Sequence, residues 1–447
     1  MPAELTAAAI VEACRSGTSA VKVLDRFRAR VEEREPEVRA WETLDLEGAY
    51  RQAEALDRQA AAGRLRGLLH GVPIAMKDVY HVAGLPCRAG SPVYHDFVPQ
   101  SDAPVVRRLR EQGAVILGKT VTTQLAATDP AVTHNPRNLE HTPGGSSSGS
   151  AAAVADGMVA AAFGTQTIGS TLRPAAFCGI VGLKASYGRV SRAGIFPLAW
   201  SLDHAGLLTQ TVEDAALVLA AVAGAEPGDH TAAGVPAGDH SAAVRDPKPP
   251  RIGLLRDFFQ QRCDSAYWAR LEETAQRFAH AGAEVEEAKL PAGFDLAINV
   301  SQTILACEAY AAYGNVFRLR ADDFASQVRV LLESGALVPA NSYLRAQLLR
   351  RQLVESVRPL FRRYDLLLSA SATGPAPHGL GSTGDTVCNA PWTLLGMPAL
   401  SLPIGLAGNG LPLGLQLTAD HWQEERLLAG ARWCEMILGP VMPAPAS

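Results

Sequence analysis

The stretch HTPGGSSSGSAAAVADGMVAAAFGTQTIGSTLRP, residues 141–174, decides how the rest of the chain is read, because it holds only two charged residues, Asp156 and Arg173. Gly and Ser alone would describe a flexible linker, but the apolar AAAVADGMVAAAF within it buries on both sides of a helix. Its serines therefore face something buried. Outward from it, short β-rich pieces alternate with helical ones: GVPIAMKD, the helical APVVRRLREQG before AVILG, and AALVLAAVAG behind the cap Thr211. Such alternation predicts an α/β fold.

Residues 1–65 read as a helical layer, in which Thr18 caps a helix that Pro36 ends and Asp45 caps LEGAYRQAEALDRQAAAG. Residues 66–447 read as one domain, with 224–250, rich in Gly, Pro, Ala and Asp, as an exposed connector within it. Beyond it, RIGLL, the helix DSAYWARLEETAQRFAHAG and AEVEEA form a β-α-β unit, with Trp268, Leu271, Ala275 and Phe278 on one helix face. DLLLSA, ALSLPIG and PLGLQLTA then supply late strands, and DHWQEERLLAGARWCEMI a closing helix.

A net charge of -4 and 19% charged residues give no excess of positive charge for nucleic acid or anionic lipid. The amino terminus lacks the basic region of a signal peptide, and the charge-free tract 386–419 is cut by GNGLPLG and several prolines, so neither export nor a membrane helix is expected. Seven scattered cysteines without a CxxC pair suit a reducing cytoplasm, where they act as small buried hydrophobes. No His/Asp/Glu cluster has metal-ligand spacing, so neither metal nor cofactor is expected. GAVILGKT, residues 113–120, fits a phosphate-loop pattern, but its strand lies between the glycines and would hide the amides in a sheet.

The serine stretch resembles the amidase signature family, with its malonamidase-like branch the nearer. GGSSSGS and TIGS match that family's two serine segments, and Ser146 and Ser170 stand 24 apart, as its two active serines do. GVPIAMKD matches the strand end that bears its lysine, here Lys77, and the likeness extends over most of residues 60–440. It implies a single domain with a central mixed sheet covered on both faces by helices. It also implies Ser170 as nucleophile, Ser146 as bridging hydroxyl after a cis Gly145–Ser146 peptide, and Lys77 as terminal base. Thr167, Ile168, Gly169 and Ser170 are the expected backbone donors of an oxyanion hole, which Ile168 narrows where relatives carry a smaller residue.

The residues agree with that chemistry. A lysine acts as a base only when its pKa falls from about 10.4 towards neutrality, which uncharged Gly/Ser/Ala walls bring about. Arg173 either binds a substrate carboxylate, as its equivalent does in malonamidase-like members, or holds backbone carbonyls. Two functions follow. The first is hydrolysis of a small, carboxylated amide or urea-like compound, by a homodimer with room for an accessory subunit. The second is the amidase subunit of a glutamine-dependent, tRNA-linked amidotransferase. GKTVTTQLA and HTPGGSSSGSAAAVADGM favour the first.

Overall fold

The computed structural model describes residues 5–232 and 238–442; residues 233–237 of the expected connector lie outside them. Among the described residues eleven strands join one sheet: β1 (Trp41–Leu44), β2 (Pro73–Lys77), β3 (Val115–Thr120), β4 (Ala161–Gln166), β5 (Val181–Lys184), β6 (His204–Thr209), β7 (Arg251–Leu255), β8 (Glu284–Ala288), β9 (Leu366–Ala370), β10 (Ala399–Leu406) and β11 (Pro412–Thr418). Their order across it is β1-β3-β2-β4-β6-β5-β10-β11-β9-β7-β8. The sheet is mixed. β2 runs parallel to β3 and β4, and β7 parallel to β8 and β9, while β6 returns antiparallel between β4 and β5.

Away from the edge strands β1 and β8 both faces are buried, so the inner strands alternate between two cores rather than between core and water. Ile74 and Met76 of β2 face one core and Ala75 the other; Phe163 and Ala162 of β4, and Leu207 and Leu208 of β6, divide in the same way. The Ala75 side is closed by the helices Ala20–Val38, Leu46–Ala61 and Ser148–Ala155, the last of them buried at every position. Lys77 follows Ala75 by two residues and so points to that same side, towards the serine segment.

Two details of the amino-terminal layer differ from expectation. A short strand, β1, separates the second and third helices and pairs antiparallel with β3. Ser19, not Thr18, caps the second helix, accepting from the Lys22 N–H at 3.4 Å. Pro36 lies inside that helix, which runs to Val38. A proline so near the end removes one backbone bond, and the fully buried Val38 keeps the final turn in place.

The apparent phosphate loop is part of the sheet. Gly118, Lys119 and Thr120 lie in β3, and the buried Lys119 ammonium donates to Asp78 Oδ1 at 2.8 Å. All seven cysteines are free thiols, five of them buried.

Candidate active site

Lys77 ends β2 with no exposed surface. Its Nζ lies 2.7 Å from Ser146 Oγ, 2.8 Å from Thr165 Oγ1 and 3.2 Å from Ser147 Oγ. All three are hydroxyls, and no carboxylate bonds it among the described residues. Burial holds the Lys77 ammonium well below the usual lysine range, opposed only by the charge of Asp203. The Ser147 hydroxyl already donates to the Thr165 carbonyl at 3.2 Å, so towards Lys77 it only accepts. A neutral Lys77 therefore has a lone pair free for the proton of Ser146.

The Gly145–Ser146 peptide is cis. It lies just before the helix Ser148–Ala155, where a side chain at 145 would meet Thr383 Cγ2 at 2.7 Å and one at 149 the Ala40 carbonyl oxygen at 2.3 Å. Glycine is required there because threonine side chains close on residue 145 and neighbouring backbone closes on residue 149. Ser146 is 1% exposed, so its hydroxyl is shielded from bulk water.

Ser170 stands in the turn between β4 and the helix Leu172–Cys178. Its hydroxyl bonds no other described residue and lines a cavity of about 50 Å³ with Ile168, Arg173, Leu305, Leu331 and Thr386. The N–H groups of Thr167, Ile168, Gly169 and Ser170 donate to no acceptor among the described residues. Those of Thr171 and Leu172, by contrast, converge on Gln166 Oε1 at 3.0 and 2.9 Å. Gln166 thereby occupies the amides after Ser170, while those up to Ser170 keep no acceptor among the described residues. Ile168 adds its side chain to the same small cavity.

Arg173 is 2% exposed. Its Nε donates to the Thr383 carbonyl at 2.7 Å, and its Nη2 to the Gly145 carbonyl at 2.6 Å and to Thr383 Oγ1 at 3.3 Å. Nη1 has no partner among the described residues. Burial lowers the guanidinium to about 10, against the charge of Asp385. The structure therefore gives Arg173 its backbone-holding role on two nitrogens and leaves the third free beside the pocket.

Three residues that the sequence alone does not single out enter the site: Thr165, Gln166 and Asp203. Asp203 accepts from Thr167 Oγ1 at 2.6 Å. His141 and Cys178 hold backbone, at the Ala376 and Pro143 carbonyls.

Comparison with known proteins gives the family of the chain. Residues 22–428 match the Amidase family. A glutamyl-tRNA(Gln) amidotransferase subunit from Bdellovibrio bacteriovorus is 34% identical over 92% of each chain. Native peptide amidase from Stenotrophomonas maltophilia superposes with a TM-score of 0.87 at 29% identity over 99% of each chain. A protein from a vestigial complex linked to the origins of an s-triazine catabolic enzyme superposes with a TM-score of 0.92 at 28% identity, over 97% of this chain and 98% of its own. A fold of this topology, matched along nearly its whole length, makes this chain a member of the amidase family.

Proposed function

We propose that the chain hydrolyses a short amide bearing a carboxylate, through an acyl intermediate on Ser170 with Ser146 and Lys77 as its proton relay. The observation that carries this reading is Lys77, fully buried, bonded only to hydroxyls and 2.7 Å from Ser146. Ser146 takes the proton of Ser170 and passes it to Lys77; the amides of residues 167–170 receive the oxyanion; the same relay then protonates the departing amine. The small cavity beside Ser170 and the free Nη1 of Arg173 support a short, acidic acyl group.

The relatives favour the second of the two functions. Amidotransferase subunits such as that of Bdellovibrio bacteriovorus reach higher identity than the solved hydrolases, against the order that the two sequence segments suggest. The site accommodates that reading, since glutamine is itself a short primary amide with a carboxylate. In it, the chain releases ammonia for use by a partner subunit.

The deciding experiment measures ammonia release by the purified chain, across short mono- and diamides, carboxylated ureas and glutamine. A kcat/KM of about 10⁴ M⁻¹s⁻¹ or more on a non-glutamine amide, the lower range of ordinary enzymes, supports the stand-alone hydrolase. Glutamine as sole substrate, stimulated by a co-expressed partner subunit with ATP and tRNA, supports the amidotransferase. Light scattering on the same sample reads a homodimer or a complex directly.

A further inference from the structure

We propose that Asp203 is a positioning residue of this site: it ties the loop of free amides to the pocket wall and supplies the negative charge that acts on Lys77. The inference rests on the roles given above to Ser170 and Lys77. Its first half is a matter of strand register. Gln166 of β4 pairs with His204 of β6, so Thr167 and Asp203 meet where the strands part. Thr167 Oγ1 donates to Asp203 Oδ1 at 2.6 Å, while Oδ2 accepts the N–H groups of Leu198 at 2.8 Å and Ala199 at 3.0 Å. Thr167 opens the run of free amides, and Leu198 lines the cavity of Ser170. One carboxylate thus fixes the spacing between the oxyanion donors and the wall opposite them.

The second half is electrostatic. Among the described residues Asp203 is the one charged group that raises the proton affinity of Lys77 against burial. Asp203 is half-buried and also borders a second cavity of about 320 Å³, together with Thr165, Arg192 and His204. Lys77 from β2, Arg192 and Tyr187 from the preceding loop, and Tyr313 from the helix Leu296–Leu319 interact with Asp203 through charge, and His204 is next in the chain. His204 is held neutral by burial, and both phenols stay protonated. Burial raises Asp203 to about 6, while Thr167, Arg192 and the two amides pull it down. Above that pH it carries its charge, and Lys77 is a stronger base for it.

The test is the rate at which a fluorophosphonate labels the full chain between pH 5 and 10, with the modified residue mapped by mass spectrometry. Labelling of Ser170 in the wild type, lost in Ser170→Ala, establishes the underlying site; no labelling there refutes the assignment of Ser170 itself. Asp203→Asn keeps an oxygen for Thr167 but removes the charge. Labelling requires neutral Lys77, so its rate rises with pH, and the expected rising limb of the variant lies at lower pH than that of the wild type. The plateau falls by up to about 10²-fold as the donors lose their spacing. A limb that stays in place, with Ser170 still labelled, overturns the proposal. Should Asp203→Asn not fold, Thr167→Val and Thr167→Ser decide. The valine variant is expected to label at least about tenfold more slowly and the serine variant to recover most of the loss. Wild-type labelling in Thr167→Val refutes the tie.

Discussion

Arg173 Nη2 donates to the carbonyl oxygen of Gly145 at 2.6 Å, so the side chain three residues beyond Ser170 grips the peptide that carries Ser146. Replacing it removes that grip before it touches any substrate. Arg173→Met is expected to lower stability by about 1.5–3 kcal/mol for each charged hydrogen bond lost, and to slow every substrate. If Nη1 also meets a carboxylate, an anionic amide loses a further 1.5–3 kcal/mol or so in kcat/KM relative to its neutral isostere. Equal losses on both substrates leave Arg173 as a strut alone.

The proposed relay makes a second prediction, about how losses combine. Ser170→Ala abolishes turnover while the melting temperature stays within a few degrees. Ser146→Ala and Lys77→Ala each reduce kcat by several orders of magnitude, and the double variant is scarcely worse than either, because the chain of protons fails as a unit. Steady-state kinetics on all three decide, and losses that multiply are incompatible with a shared pathway.

The segments around Lys77, Ser146 and Ser170 were legible in the sequence because their chemistry demands particular residue types in short local patterns. Thr165 and Asp203 were not. Thr165 lies 88 residues from Lys77 and reaches it only because β4 lies beside β2; Asp203 depends in turn on β6 lying beside β4. The four residues of β1 were hidden for a similar reason. WETL between two helices is too short for a visible period and becomes a strand only by pairing with β3. The late strands were plain, since each is a largely apolar run, and Gly or Pro flanks two of the three, Ala399–Leu406 and Pro412–Thr418.

Gly164 of β4 faces Ser147, and a Cβ there would meet Ser147 Oγ at 2.5 Å. Ser147 is a hydrogen-bond acceptor for Lys77 and for the Thr165 N–H. Gly164→Ala should therefore displace Ser147, tilt Lys77 away from Ser146 and lower kcat by about 10²-fold with a modest change in KM. Restoration by a second change, Ser147→Gly, would show that the clash is the cause; no loss in Gly164→Ala contradicts the packing.

A lysine outside the site gives a prediction about stability and pH. Lys184 is fully buried at the end of β5, where its ammonium donates to the Met397 and Ala185 carbonyls. Burial lowers it to about 7, Glu424 pulling it up and Arg350 pushing it down. Between that value and the unfolded one the unfolded chain binds the extra proton, so this contribution to stability grows with pH, at up to about 1.4 kcal/mol per unit, and is lost as pH falls towards 7. Urea unfolding of wild type and Lys184→Met at pH 7, 8 and 9 measures it. The variant's stability should rise less steeply with pH; parallel curves would mean that Lys184 stays charged.

Lys77, Ser146 and Ser170 come from three neighbouring segments of one stretch of chain, at strands β2 and β4 and the helix entries beside them. The pocket lining has a mixed origin: Ile168, Arg173 and Leu198 belong to that same part of the chain, whereas Leu305 lies in the helix Leu296–Leu319, Leu331 in the helix Ser326–Leu337, and Thr386 on a later loop. Substitutions at Leu305, Leu331 and Thr386 therefore reshape part of the cavity lining without replacing any of the three polar side chains. Under the proposed function, exchange of those three positions alone offers a route to new diets that leaves the polar engine of the site intact.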